Sequence, residues 1–165
     1  MMNPDVLKAS VEEDLRVLDE IAEKFLRDLE TLDMIERGSI DPYWQDLALR
    51  GIGQRLHQYY HVIEKILETI FEATGEGLPK GEGYHLMLLK QAFLRLPQHP
   101  AVLRGEDLRD FLDELRGYRH FFRNIYRSSI KPENIRRLIE MIQKHHQSVC
   151  AQLREFTEVI TESEG

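Results

Sequence analysis

The stretch LRVLDEIAEKFLRDLETL, residues 15–32, decides the fold class. Its apolar residues Leu15, Leu18, Ala22, Phe25, Leu29 and Leu32 recur at spacings of 3, 4, 3, 4 and 3. That rhythm lines one side of a helix of 3.6 residues per turn, whereas a half-buried strand alternates every second residue. The spacing predicts a long helix with a charged outer side. Ser10 followed by Glu13 forms a capping-box pattern for its start, and Pro4-Asp5 offers an earlier one. Gly38 and the pair Asp41-Pro42 predict its end.

Working outward, the same rhythm continues. A second long helix is expected over roughly 42–74, with Leu49, Ile52, Leu56, Tyr59, Ile63, Ile66 and Ile70 as its seam. Gly51 and Gly53 interrupt it, each at up to about 1 kcal/mol relative to alanine, so a close helix contact is expected there. GEGLPKGEG, residues 75–83, reads as a glycine-rich turn. It is not a phosphate loop, because no strand precedes it and the Gly-Lys-Ser/Thr ending is missing. A short helix is predicted over about 84–96, ended by Pro97 and Pro100. A fourth follows over about 106–128 with Glu106 and Asp107 at its positive end. A fifth runs from about 133 to the C-terminus, with Ile135, Leu138, Ile139, Ile142, Val149, Leu153, Phe156 and Ile160 as buried positions. No segment alternates long enough to be a strand. The expectation is an all-α chain, an antiparallel bundle of four long helices plus a short one, with residues 1–165 as a single domain.

Composition sets the bounds on function. Among 165 residues, 42% are hydrophobic and 31% charged, enough apolar mass for a core without staples. A single cysteine, Cys150, excludes an intrachain disulfide and fits a reducing compartment; it reads as a small buried helix residue. No run of 18 apolar residues spans a membrane, and the N-terminus lacks the basic-then-apolar order of a secretory signal, so a cytoplasmic protein is expected.

The formal charge of −7 is unevenly spread. Residues 1–80 hold 17 acidic and 9 basic side chains, net −8, while residues 104–137 hold 9 basic and 6 acidic, net +3. The cations concentrate in RGYRHFFRNIYR, residues 116–127, with four arginines and a histidine. At about 100° per residue, Phe111, Leu115, Tyr118, Phe122 and Ile125 share the buried face, and Arg116, His120, Arg123 and Arg127 share nearly the opposite one. Arg119 and Tyr126 lie at the flank. The ordinary explanation of such a stripe is a solvated outer face. Against it stand the single sign, without an i,i+4 carboxylate inside the stripe, and the preference for arginine, which suits bidentate phosphate contacts. A local basic patch on an acidic chain can attract a polyanion.

These residues resemble the HEPN superfamily, and within it the HepT-like toxins of HepT–MntA toxin–antitoxin pairs. LHQYYHVIEKILETIF, residues 56–71, is similar to the family's tyrosine–glutamate helix through Tyr60 and Glu64. LPKGEGYHLMLL, residues 78–89, is similar to its Pro-x-Gly…Trp-His…Leu-Leu segment, with Tyr84-His85 in place of Trp-His. ELRGYRHFFRNIY, residues 114–126, is similar to the segment ending in the family motif Arg-x4-His-x-Tyr. The order and spacing of the three pieces carry the match. This chain departs from the motif at one position: it reads Arg119-x4-Asn124-x-Tyr126.

The resemblance implies a HEPN-like helical bundle that cleaves RNA, tRNA among the candidates, as a homodimer without a metal or other cofactor. It implies catalytic roles for Arg119, for Asn124 at the histidine position, and for the polar residue His120. Arg116, Arg123 and Arg127 are then RNA-binding residues. It further implies an MntA-like nucleotidyltransferase antitoxin that attaches AMP to Tyr126, placing a bulky negative group in the basic cleft. Asparagine can hydrogen-bond but cannot usefully take or give a proton at pH 7, so three explanations stay open: a module that binds and cuts poorly, a proton role taken over by His120, or an introduced change that silences a toxin. The alternative function is a catalytically silent binding module partnering a nucleotidyltransferase.

His85 reads either as a hydrogen-bonded, partly buried residue or as support for the cleft. His57 and His61 form an i,i+4 pair without an evident third metal ligand, so no metal is expected. His145-His146 reads as a water-facing pair, and Trp44 as a packing residue at a helix start.

Overall fold

A computed structural model describes residues 2–123 and 131–163, with side chains omitted for 120–123 and 163. Among the described residues five helices follow one another: α1 (Pro4–Glu36), α2 (Pro42–Ala73), α3 (Tyr84–Ala92), α4 (Glu106–Arg123) and α5 (Pro132–Ser163). No strand occurs among the described residues, as the spacing predicts. The helix starts follow from local chemistry. Asn3 accepts from the Asp5 N–H at 2.8 Å and Asp41 from the Tyr43 N–H at 2.9 Å, with Pro4 and Pro42 placed where no N–H is needed. The earlier of the two predicted starts for α1 is therefore the real one.

α2 is the central element, packing against α1, α3, α4 and α5. Its whole predicted seam, from Leu49 to Ile70, is buried. Pairing directions fix the topology. Asp28 meets Arg55 at 2.7 Å and Asp14 meets Lys65 at 2.8 Å, so residue numbers rise on α1 as they fall on α2. Glu12–Arg154 (2.6 Å), Asp19–His146 (2.7 Å) and Asp33–Arg136 (2.7 Å) run the same way between α1 and α5. Both neighbours of α1 are thus antiparallel to it, the expected bundle topology.

The Asp28–Arg55 pair is partly buried, and Asp28 has little water to fall back on. Arg55→Met should lower stability by about 1.5–3 kcal/mol, the cost of stripping charged hydrogen bonds from a buried carboxylate. Asp28→Leu added to it should recover most of that loss, because two apolar side chains leave no stranded charge. Urea unfolding with an unchanged m-value is the measurement.

Three expectations need correction. α3 ends at Ala92, four residues early: the chain turns at Phe93, and Leu103 N–H bonds Ala92 C=O at 2.9 Å while Val102 and Leu103 bury themselves as the anchor of the loop. Gly51 makes no close helix contact; a Cβ there would meet nothing within 4 Å. Gly51→Ala should accordingly raise stability by about 0.5–1 kcal/mol, read as a higher urea midpoint. Trp44 is 62% exposed in the first turn of α2 and touches Tyr43 edge-on at 5.2 Å, so it does not pack into the core.

The water-facing assignment of His145-His146 is also overturned. α5 packs against α1, α2 and α4, and both histidines are half-buried on the flanks these neighbours cover. His145 stacks on Phe111 at 4.9 Å and 18°, and His146 is held by Asp19 at 2.7 Å and Tyr59 at 3.1 Å. Burial, aided by Lys144, lowers the His145 pKa below its ordinary 6.5. The folded state then holds fewer protons than the unfolded one between those two values. Stability is full above the unfolded pKa, falls as pH drops through it, and levels off below the folded pKa. His145→Gln should flatten that decline in urea midpoints measured between about pH 7.5 and 5.5.

Candidate functional site

Arg119 is where three helices converge. It projects from the flank of α4 towards α2 and is 18% exposed. Its Nη1 lies against Nε2 of His85, the second residue of α3, and 3.8 Å from Oε2 of Glu64 on α2. Glu64 is 3% exposed and accepts from His85 Nδ1 at 2.9 Å through its other oxygen. The carboxylate fixes the tautomer: Nδ1 carries the proton, and Nε2 turns its lone pair to the guanidinium. Tyr60, one turn before Glu64, hydrogen-bonds the same carboxylate. Burial, and then the neighbouring carboxylate, push its phenol well above the usual range.

A buried carboxylate is costly unless satisfied, and here it holds a tyrosine, a histidine and an arginine in one arrangement. Tyr84 buttresses His85 from the other side. Its ring meets the imidazole edge-on at 5.3 Å, and its hydroxyl donates to Glu68 Oε1 at 2.6 Å. Gly83, in the left-handed region at φ 78°, opens the helix that carries both. Arg119 Nε is buried without a hydrogen-bond partner among the described residues. The guanidinium therefore keeps donor capacity beyond what His85 and Glu64 take.

Arg116 does not stand on a free cationic stripe. It is paired with Asp113 at 2.8 Å, three residues back, and its side chain is 27% exposed. The pairing was legible as an i,i+3 spacing, which a search at i,i+4 passes over. Asn124, Tyr126 and Arg127 lie outside the described residues, as do the side chains of His120 and Arg123. Beyond Arg119, a crevice of about 300 Å³ lies between α4 and α5, lined by Tyr118, Lys131 and Arg137. Arg137 there is engaged by Glu114, which weakens the crevice as an anion site. Burial pushes the Tyr118 phenol up to about 12.

Sequence reasoning named Tyr60, Glu64 and His85 separately, through the resemblance, without joining them to Arg119. The joining signal is tertiary: residues 55 and 34 positions from Arg119 meet it only when α2 and α3 pack on α4. A second polar cluster, Asp19, His146 and Cys150, was missed altogether. No described helix is long and apolar enough to cross a membrane.

The family model described as HepT-like protein matches residues 51–160, two-thirds of the chain, and takes in Tyr60, Glu64, His85, Arg119 and Asn124. No curated protein and no solved structure matches the chain. By that match, and with an all-helical bundle to go with it, the chain belongs to the HepT-like family of HEPN proteins.

Proposed function

We propose that the chain is a HepT-like, metal-independent ribonuclease acting as a homodimer, with Arg119 stabilising the phosphate charge that develops during cleavage. The observation that carries this reading is the seat of Arg119 against His85 and the buried Glu64. A guanidinium so held needs little reorganisation when charge develops beside it, the condition under which electrostatic stabilisation counts most.

His85 fills the gap that Asn124 leaves. It is the imidazole in contact with Arg119, and Glu64 orients it as a carboxylate orients a general base. Redirecting the Arg119 Nη1–H from His85 to an RNA phosphate, with the guanidinium still seated beside Glu64, frees the Nε2 lone pair to take the 2′-hydroxyl proton. The attacking oxygen then bonds phosphorus, the 5′-oxygen departs, and the proton returns from imidazole to that leaving group. His120, Arg123 and Arg127 are the further residues proposed for the RNA strand, with Arg116 in a weaker role because Asp113 holds it. Tyr126 is the proposed site of AMP attachment by a nucleotidyltransferase antitoxin, and a cytoplasmic setting follows from that pairing.

The second reading is a silent binding module, favoured by Asn124 at the motif's histidine position. Purified chain, a tRNA pool and EDTA separate the two. Cleavage by the native chain, lost in Arg119→Ala, supports the nuclease. No cleavage, with a stable complex with the nucleotidyltransferase by size exclusion, supports the module. Intact mass after incubation with that partner and ATP tests Tyr126: an addition in multiples of AMP, absent in Tyr126→Phe, is the expected result.

A further inference from the structure

A cluster on the far side of α2 from Arg119 does no work in the proposed reaction. Asp19 of α1 and His146 and Cys150 of α5 bring a carboxylate oxygen, an imidazole nitrogen and a sulfur within 4.8 Å of one another. His146 Nε2 is 2.7 Å from Asp19 Oδ1; Cys150 Sγ is 3.7 Å from His146 Nε2 and 3.9 Å from Asp19 Oδ1. We propose that these three side chains form a zinc-type divalent cation site that ties α1 to α5.

The spacing suits the ion. Tetrahedral zinc with its usual sulfur, nitrogen and oxygen bond lengths sets ligand atoms about 3.4–3.6 Å apart. The two sulfur edges are therefore up to a few tenths of an ångström long, and the Asp19–His146 edge, at 2.7 Å, opens by about 0.7 Å to admit the ion. His146 and Cys150 are one helical turn apart, so a single helix face presents both. The thiolate and imidazole together favour zinc over magnesium or calcium.

The surroundings complete the site. Tyr59 Oη stands 3.1 Å from His146 Nδ1, where it accepts the Nδ1–H of a metal-bound imidazole and fixes the ring. Asp19 is half exposed at the edge of a groove of about 400 Å³ shared with Glu23 and Gln147. That groove gives solvent water access to the fourth position, and Glu23 adds negative charge. Arg154, the nearby cation, is engaged by both oxygens of Glu12. As the sulfur–metal bond forms, the S–H proton leaves to solvent, and binding strengthens with pH.

The test uses EDTA-treated full-length chain and cobalt(II) as the spectroscopic stand-in for zinc. Expected are a near-ultraviolet thiolate-to-cobalt band saturating at one equivalent, its displacement by zinc, and a rise in Tm of roughly 5–10 °C at a hundredfold excess of zinc over Kd. Magnesium should do neither. Cys150→Ser should abolish the band, Asp19→Asn should weaken zinc binding at least tenfold, and Tyr59→Phe should weaken it about 10–100-fold. Asp19→Asn changes a half-exposed side chain, so it stays informative if the cysteine variant does not fold. Zinc binding that survives Asp19→Asn unchanged, or follows His57→Ala and His61→Ala instead, overturns the proposal, as does the absence of the cobalt band. RNA cleavage is no part of the readout, so this site and the Arg119 site stand or fall separately.

Discussion

Asn124→His should raise the rate of RNA cleavage by about 10²–10⁴-fold, the usual contribution of a well-placed general acid–base group. The substitution gives the chain the pattern Arg-x4-His-x-Tyr, with Arg119 and Tyr126 already in register. The informative comparison is made in both backgrounds. In the native chain His85→Ala should remove most of whatever cleavage exists, because His85 is then the proton carrier beside Arg119. With histidine at 124 the same change should cost far less. Two imidazoles serving one step are not additive, and the double-mutant cycle measures the redundancy. Single-turnover rates under saturating RNA are the measurement, since they isolate chemistry from product release. Equal losses from His85→Ala in the two backgrounds would assign His85 to holding Arg119 in place rather than to moving a proton.

The parts of the fold that were legible share one cause. Leu15 to Leu32, and Leu49 to Ile70, carry a period that only a helix with one covered side satisfies, and each turns its seam inward. The start of α2 was legible at Asp41-Pro42, whereas α1 starts at Pro4, the earlier alternative to the Ser10 capping box, because Asn3 caps it. What escaped the sequence depends on which neighbour covers a flank. A helical wheel puts Arg119 at the margin of the basic stripe, but nothing along α4 says that α2 lies there with a buried carboxylate. His145 and His146 looked polar because their own neighbours are polar; their partners, Phe111, Asp19 and Tyr59, come from three other helices. The Asp19–His146–Cys150 cluster spans 131 positions at its widest, so nothing along the sequence brings Asp19 to the other two.

Arg119→Ala should lower single-turnover cleavage by about 10²–10³-fold, the cost of losing one preorganised donor to a developing oxyanion. The effect on binding should be small by contrast. One phosphate contact on a single strand accounts for a change of about 0.7 in the slope of log K against log salt, so affinity at moderate salt should fall only modestly. The fold should survive, because Glu64 keeps Tyr60 and His85 as donors when the arginine goes; a loss of about 1–3 kcal/mol in urea unfolding is the expected structural cost. Arg119→Lys separates charge from geometry. A lysine ammonium restores the positive charge but cannot lie against His85 and reach Glu64 while still presenting a planar fork outward. It should therefore recover the salt slope without recovering the rate. A lysine variant that cuts as fast as the native chain would mean that net charge suffices, and that the Glu64–His85 seat serves the stability of the bundle alone.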